Sequence, residues 1–333
     1  MLRKQLIFPL IKKICEEENI IFKEEPSRGM FGVMIFDDGR KFFIKDVNFN
    51  LNYVSSTRIT KNKSLTSYFL DLFGYKVPLY TVVYSDEKRK RYKLEDSMEN
   101  GIKFINEIGY PAILKLNDSS KGRGIYKVYD IDEFIETAKL IFQTTNTFQI
   151  QKYYDYNDYR VVVLGDKVIS AYQRIPLSII GDGVSSIREL LLLRQKFFEE
   201  NGRDTIINFD DIDLQTNIEK LGYSYDSILE TGKKCKLRYI SNLSAGGECL
   251  DLTENIHQDY INLCVNIAHD LNLKLSGIDI MCKDLCSSLD DYIVLEVNSA
   301  PGLDNYAYTG QKQEEYVKEL YRQVILYIKK NIR

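Results

Sequence analysis

Histidine is scarce in this chain of 333 residues, which contains only two, and tryptophan is absent altogether. His257 and His269 stand twelve residues apart on a predicted helix. That spacing separates them by about 18 Å along the helix axis, so they cannot bind one metal ion together. Either could act as a general base, but a structural role for both is favoured, and we expect a reaction that does not depend on histidine.

Closely spaced cysteine pairs are lacking as well. The six cysteines are scattered without a CxxC motif, and the two nearest are Cys282 and Cys286. This distribution argues against a zinc site or a disulfide framework and favours reduced thiols. The sequence therefore predicts a cytoplasmic protein.

The chain also has no long apolar run and no strong excess of one charge. No stretch approaches the roughly 20 apolar residues that span a bilayer, and the net charge is −3. We therefore expect neither a nucleic-acid nor a membrane partner. The composition, 44% hydrophobic and 28% charged, is that of a folded protein, whose 333 residues suit one large domain or two to three closely packed ones.

The apolar pattern predicts helices alternating with short strands. Residues 1–60 indicate a helix followed by strands, with a hairpin turn at Asp37-Asp38-Gly39-Arg40. Residues 175–234 form an excursion that contains a leucine-rich helix at 187–198. No internal repeat or low-complexity segment is visible.

Two short apolar strands near the end of the chain carry oxygen-bearing side chains. One contains Asp279, and the other contains Glu296 and Asn298. Because strand side chains alternate, Glu296 and Asn298 point the same way, and Leu295 and Val297 point into the core. Two carboxylates and an amide oxygen suit a Mg²⁺ ion that also holds nucleotide phosphates. The alternative is that these residues decorate a solvated sheet face.

Lys115 lies in another predicted apolar strand, where an ammonium either reaches the sheet edge or binds an anion. A polar loop follows it. The loop residues that could contact phosphate are Ser119, Ser120, Lys121 and Gly122. Glycines let backbone N–H groups approach phosphate oxygens, and cations neutralise those oxygens. The loop matches neither a P-loop nor a GxGxxG motif, so spacing alone indicates phosphate binding weakly.

Several motifs together resemble the ATP-grasp superfamily. They are Lys115 before its small-residue loop, residues 149–154 with Asp158-Tyr159-Arg160, and Asp279 with Glu296-x-Asn298. Further segments resemble the ligase modules of cyanophycin synthetases and bifunctional glutathione synthetases. These are Arg174-Ile175-Pro176 followed by Gly181-Asp182-Gly183 and Ile187-Arg188-Glu189-Leu190, Leu237-Arg238 with Asn242-Leu243-Ser244-Ala245-Gly246-Gly247, and Gly277-Ile278-Asp279-Ile280. The resemblance covers roughly residues 60 to 330 and keeps the order of these motifs.

The resemblance implies a site for ATP. Lys63 and Lys115 match the two lysines that contact ATP phosphates, and the loop Ser119–Gly122 would contribute to the same site. Gln151 falls where the family often has an adenine-side glutamate, and Asp158 falls at the ribose-binding position. The hinge that reads the adenine edge would consist of Lys152, Tyr153 and Tyr154.

The resemblance also implies a catalytic centre. Arg160, Arg174 and Arg238 match arginines that hold the γ-phosphate or the substrate carboxylate, although Arg160 and Arg174 could be ordinary ion-pair partners. Asn242 would also belong to this catalytic centre. The ligands of two Mg²⁺ ions would be Asp279, Glu296 and Asn298. Two departures from the family pattern are Gln151 in place of an acid and a less glycine-rich loop with Lys121 and Arg123.

The implied fold is α/β (α+β), an ATP-grasp fold on a mainly antiparallel catalytic sheet. Residues 1–95 would form an N-terminal α/β domain leading into the ATP-grasp module. Residues 96–153 would form a small mobile lid. Residues 154–333 would form the C-terminal catalytic subdomain, with the excursion at 177–235.

The implied activity is that of an ATP-dependent, ADP-forming carboxylate–amine ligase. It would join an amino acid or peptide carboxylate to an amine through an acyl phosphate. The alternatives are a peptide-crosslinking (macrocyclising) ligase, an ATP-grasp small-molecule kinase and a nucleotide-binding regulatory protein without turnover. The resemblance also suggests a homodimer. A Mur-ligase-like or glutamate–cysteine ligase half would not fit in this length, so we expect a stand-alone module.

Overall fold

The computed structural model describes residues 7–27, 29–116, 124–201, 203, 205–239, 241, 243, 246–307 and 311–332. The N-terminal unit is a helix and a three-stranded antiparallel sheet in the order β1-β2-β3. Its elements are α1 (Ile7–Glu17), β1 (Ile21–Glu24), β2 (Phe31–Ile35) and β3 (Lys41–Lys45). The predicted hairpin turn is confirmed, because β2 and β3 pair antiparallel on either side of residues 37–40.

A four-stranded antiparallel sheet with the order β4-β7-β5-β6 follows, and we refer to it as the lid sheet. The elements of this region are α2 (Val54–Lys61), α3 (Lys63–Leu72), β4 (Tyr80–Tyr84), α4 (Asp86–Tyr92), α5 (Met98–Ile108), β5 (Ala112–Leu116), β6 (Ile125–Val128), α6 (Ile131–Phe142) and β7 (Thr147–Lys152). One face of this sheet packs on α5 and α6 through buried residues such as Phe134, Phe148 and Ile150. The sheet includes β4, which precedes residue 96.

The largest sheet has five antiparallel strands in the order β12-β9-β8-β13-β14, and we refer to it as the catalytic sheet. Its strands are β8 (Asn157–Leu164), β9 (Lys167–Ile175), β12 (Glu248–Asp251), β13 (Leu275–Cys282) and β14 (Tyr292–Asn298). One face is apolar at alternate positions, including Val161, Ile278 and Val297, and packs on helix α9 (Gln258–Asp270).

The excursion has its own hydrophobic core. It contains β10 (Ser178–Ile180), α7 (Ile187–Glu200), α8 (Ile212–Lys220) and β11 (Lys234–Lys236). Strands β10 and β11 pair with each other and with no other sheet in the described chain. Helix α7, the predicted leucine-rich helix, begins with a capping box formed by Ser186 and Glu189. Leu191, Phe198 and other apolar side chains of the excursion bury one another.

The chain ends with α10 (Asp304–Ala307) and α11 (Gln311–Asn331). Helix α11 contributes Leu320 and Ile328 to one core with α1 and with Val162 and Leu164 of β8. It therefore covers part of the second face of the catalytic sheet. The predicted fold class, mixed α/β with antiparallel sheets, is confirmed. Within the described residues, no helix combines the length and apolarity needed to cross a bilayer.

Candidate active site

Charged side chains occupy the part of the second face that the hydrophobic core leaves open. Strand pairing places Asp279 between Arg160 on β8 and Glu296 on β14. Asp158 of β8 lies opposite Arg174 of β9. Directly opposed residues on antiparallel strands project from the same face with Cβ atoms about 5 Å apart. The register alone therefore gathers these five residues.

Two arginines and two aspartates form a buried ion-pair network. Arg160 donates to both oxygens of Asp279, with Nη2 2.9 Å from Oδ2. Arg174 Nη2 lies 3.0 Å from Oδ2 of Asp279 and 2.7 Å from Oδ1 of Asp158. Ser241 donates its hydroxyl to the other oxygen of Asp158. The side chains of Arg174 and Asp279 are 7% and 6% exposed, so solvent screens their interaction weakly.

The network changes the pKa values of Asp279 and Arg174. Burial alone would raise the pKa of Asp279, but the two adjacent guanidinium groups outweigh burial and hold its pKa below the ordinary value. Burial disfavours the charged form of Arg174, yet Asp158 and Asp279 raise its pKa above the ordinary value. At neutral pH Asp279 is therefore an anion and Arg174 a cation.

The proposed metal ligands lie beside this network. Glu296 is directly opposite Asp279, and Asn298 is opposite Gly277. A Cβ atom on Gly277 would lie 2.8 Å from Pro301 Cβ and 3.1 Å from Arg160 Cδ, so the missing side chain makes room here. Asn298 Nδ2 is buried and has no hydrogen-bond partner within the described chain. Two carboxylates and the amide oxygen of Asn298 are oxygen ligands that fit a hard divalent cation such as Mg²⁺.

Leu295 departs from the predicted alternation. Asp279 pairs with Glu296 whereas Ile280 pairs with Val294, so Leu295 is the extra residue of a β-bulge. The sequence had predicted that its side chain enters the core, and this prediction is wrong, because Leu295 lines a cavity. Val297 is fully buried, as expected.

The lid sheet contributes the opposite wall. Lys115 lies on the sheet face that points away from the α5–α6 core, and burial lowers its pKa to about 8 although Glu296 opposes that shift. Gln151 is buried on the same face and 2% exposed. Lys127 places its ammonium 3.6 Å from the ring centroid of Tyr153, next to the predicted hinge. Lys63, the first residue of α3, is also buried.

Both walls enclose a cavity of about 790 Å³, large enough for a nucleotide with a small second substrate. Most of the predicted site residues line it, namely Lys63, Lys115, Gln151, Lys152, Tyr153, Tyr154, Asp158, Arg160, Arg174, Asp279, Glu296 and Asn298. Neither histidine is among the residues that line the cavity.

The other predicted residues are not in this group. Arg238 does not line the cavity, and its guanidinium pairs with Asp211 in the excursion. Ser119, Ser120, Lys121, Gly122 and Asn242 lie outside the described residues.

Several lining residues were not predicted. Tyr172 shares the open sheet face with Arg174, and strand alternation could have indicated it. Lys234 and Lys236 come from β11 of the excursion. Their approach depends on how the excursion folds back, which no local pattern encodes.

The fold and the site together define an ATP-grasp protein. A family model described as the RimK-like ATP-grasp domain matches residues 85–178 and 226–317, which together are more than half of the chain. The chain belongs to this family. The unmatched segment between the two parts lies within the excursion.

Two curated relatives place the chain more narrowly. A cyanophycin synthetase from Trichormus variabilis is 30% identical over 247 residues, which are 72% of this chain and 26% of that protein. The bifunctional glutathione biosynthesis protein of Pasteurella multocida is 24% identical over 290 residues, 80% of this chain and 37% of that protein. The chain thus spans about a quarter to a third of the length of these relatives.

A solved structure shows the same fold. The crystal structure of a bifunctional glutathione synthetase from Pasteurella multocida has a TM-score of 0.58 and 21% identity. The match covers 96% of this chain and 43% of that one. It therefore extends to the N-terminal unit, which the family model does not include.

Proposed function

We propose that this protein is an ATP-dependent, ADP-forming carboxylate–amine ligase that acts through an acyl phosphate. The observation that carries the proposal is the buried network of Arg160, Arg174 and Asp279 beside Glu296 and Asn298, all facing one cavity. Such a site brings two guanidinium groups and the carboxylate oxygens of a metal site to one cavity, and phosphoryl transfer depends on this positioning.

ATP would lie between the lid sheet and the catalytic sheet. Lys63 and Lys115 would contact its phosphates, together with the loop Ser119–Gly122. Gln151 and the hinge Lys152–Tyr154 would contact adenine. Asp158 would bind the ribose. Its Oδ1 accepts two hydrogen bonds from Arg174 and its Oδ2 accepts one from Ser241, which leaves a lone pair on Oδ2 for a hydroxyl.

Asp279, Glu296 and Asn298 would hold Mg²⁺, with two ions expected. The metal would supply charge neutralisation at the phosphates when bound. Asp279 also orients both arginines, so one carboxylate would serve the metal and the guanidinium groups together.

The arginines would act on the reacting groups. An oxygen of the substrate carboxylate attacks the γ-phosphorus, and the bond to ADP breaks. Arg160 and Arg174 would bind the transferred phosphoryl group. Arg238 and Asn242 would do the same if they approach the substrate. The amine then attacks the acyl carbon, phosphate leaves, and the amine proton passes to solvent or phosphate. None of these steps requires histidine.

The substrates proposed here are an amino acid or peptide carboxylate and an amine. Relatives named as a cyanophycin synthetase and a glutathione biosynthesis protein support this class. The scattered spacing of the six cysteines, without a CxxC motif, supports a cytoplasmic location, which is part of the proposal. We also propose that the chain divides into domains at residues 95/96 and 153/154, that the lid is mobile and that the protein forms a homodimer.

The test is an incubation of the protein with Mg²⁺-ATP and pools of amino acids and dipeptides, with and without hydroxylamine. We expect substrate-dependent ADP release and a hydroxamate, detected by mass spectrometry, because hydroxylamine intercepts acyl phosphates. Glu296→Gln should abolish both. A stable phosphate ester would instead indicate a kinase. Water loss from a precursor peptide would indicate a crosslinking ligase. Binding of ATP without turnover on any pool would indicate a regulatory protein.

A further inference from the structure

Two glutamines lie side by side in the middle of the lid sheet. Gln149 and Gln151 are two residues apart on β7, which pairs with β4 on one side and β5 on the other. Their neighbours Phe148 and Ile150 point into the hydrophobic core of the lid. The glutamines therefore share the face that Lys115 also occupies, on the side of the cavity.

The two side chains have different exposure to the cavity. Gln151 lines it, whereas Gln149 is 0% exposed and is not among the lining residues. Lys115 of β5 is the cross-strand neighbour of Gln149. Gln149 is therefore too deep to contact a ligand directly and can act only through its neighbours.

Gln151 Nε2 donates a hydrogen bond to Gln149 Oε1 over 3.0 Å. A primary amide has one end that donates and one that accepts. With its nitrogen engaged by Gln149, the oxygen of Gln151 is the end left for a ligand. A glutamate would present an oxygen in either orientation, but a glutamine presents one only if its nitrogen is held elsewhere.

The amide nitrogen of Gln149 has no hydrogen-bond partner within the described chain, although it is buried. Buried polar atoms without partners are uncommon and often mark a functional constraint. If both amides turned over, this nitrogen could donate to Gln151 Oε1, so the oxygen of Gln151 stays available only while Gln149 keeps its own oxygen toward Gln151.

We infer that Gln149 is a positioning residue that turns the amide oxygen of Gln151 toward the nucleobase and so selects adenine over guanine. The exocyclic amino group of adenine donates to that oxygen, whereas the corresponding atom of guanine is a carbonyl oxygen, which an acceptor repels. The inference rests on the proposed nucleotide site. It adds the residue that sets the polarity of that site.

The test uses calorimetric titration of the whole protein with ADP and with GDP, in the presence of Mg²⁺, so that no turnover occurs. The wild type should bind ADP more tightly. Gln149→Met removes the acceptor and lets the Gln151 amide rotate, so the ratio of the two dissociation constants should fall by about tenfold. Gln149→Glu keeps an acceptor and should preserve the ratio. Gln149→Leu replaces the methionine variant should that one fail to fold.

A second background separates positioning from general structural damage. In Gln151→Glu the group that faces the base accepts in every orientation, so adding Gln149→Met should no longer change the ADP-to-GDP ratio. An equal loss of selectivity in both backgrounds overturns the inference, as does a wild type that binds GDP as tightly as ADP. A protein that binds neither nucleotide, although it melts cooperatively, overturns the proposed nucleotide site itself.

Discussion

At the scale of single residues, Arg174 joins the two aspartates of the buried network. Replacing it with methionine removes the arginine that pairs with Asp158 and leaves Asp279 with Arg160 alone. We expect Arg174→Met to lower the free energy of unfolding by about 3 to 5 kcal/mol at pH 7, because uncompensated buried charge is unfavourable. Urea denaturation measures this loss.

The pH dependence of the loss follows from Asp279. In the wild type its pKa is depressed, so its stabilising contribution is present above the ordinary carboxyl pKa and is lost as the pH falls through the depressed value. In Arg174→Met only Arg160 remains to offset burial, so the pKa of Asp279 rises relative to the wild type, and its protonation relieves the repulsion from Asp158. The effect should therefore shrink on acidification to about pH 4. Lys283→Met, which breaks a 3.7 Å surface pair with Asp290, should change stability by less than about 0.5 kcal/mol at either pH. Equal effects of the two variants would contradict the description of the network.

Lys115 gives a prediction for ligand binding. Its pKa of about 8 is well below that of an ordinary lysine, so part of the free protein lacks the ammonium at pH 8. Phosphate charges favour the protonated form, so ADP binding at pH 8 should take up a fraction of a proton, and affinity should decline as the pH rises further. Titrations in buffers with different ionisation enthalpies measure this uptake. Lys115→Met should bind ADP more weakly and without proton uptake. Proton uptake that persists in this variant would assign the proton to another group.

At the scale of elements, β13 and β14 show how far sequence reasoning extends. Alternation correctly placed Glu296 and Asn298 on one face, because strand geometry is local. It failed at Leu295, because a bulge depends on pairing between strands. The arginines were matched to substrate groups, but their partners within the protein, Asp158 and Asp279, follow from the register of three strands. The ATP-grasp fold was predictable from ordered motifs. The sequence left open that Arg160 and Arg174 form ion pairs, as they do, but it did not predict which aspartates they contact.

Close packing at Gly277 gives a prediction for the β13–β14 pair. A methyl group there would press on Pro301 and on the side chain of Arg160, at 2.8 Å and 3.1 Å. Gly277→Ala should therefore lower the free energy of unfolding by about 1 to 3 kcal/mol and displace Arg160, reducing turnover. In Gly302→Ala the new methyl group would be 3.9 Å from Val47, its nearest neighbour, so stability should stay near that of the wild type. Thermal unfolding of both variants compares them, and equal melting temperatures would refute the steric argument.

At the scale of the whole molecule, the excursion contacts the lid sheet region as well as the cavity. Lys220 at the end of α8 pairs with Glu133 of α6 over 2.7 Å and lies 3.9 Å from the ring centroid of Tyr129. The hydroxyl of Tyr239, just after the excursion, donates to the carbonyl of Ile125 in β6 over 3.0 Å. A segment with its own core therefore bridges the two walls of the site. Its own apolar pattern predicted a helix, but not this contact, which depends on residues about ninety positions away.

The bridge should affect local motion more than global stability. The Lys220–Glu133 pair is about one-third exposed, so we expect Lys220→Ala to change the free energy of unfolding by less than about 1 kcal/mol. Opening of the lid edge needs this contact to break, so amide hydrogen exchange in β6 and the start of α6 should accelerate severalfold, whereas exchange in β13 should not change. Lys196→Ala, on the solvent side of α7, is the matched control and should leave β6 unchanged. Faster exchange throughout the chain would mean that Lys220 supports the fold as a whole, and unchanged exchange in β6 would mean that the excursion does not restrain the lid.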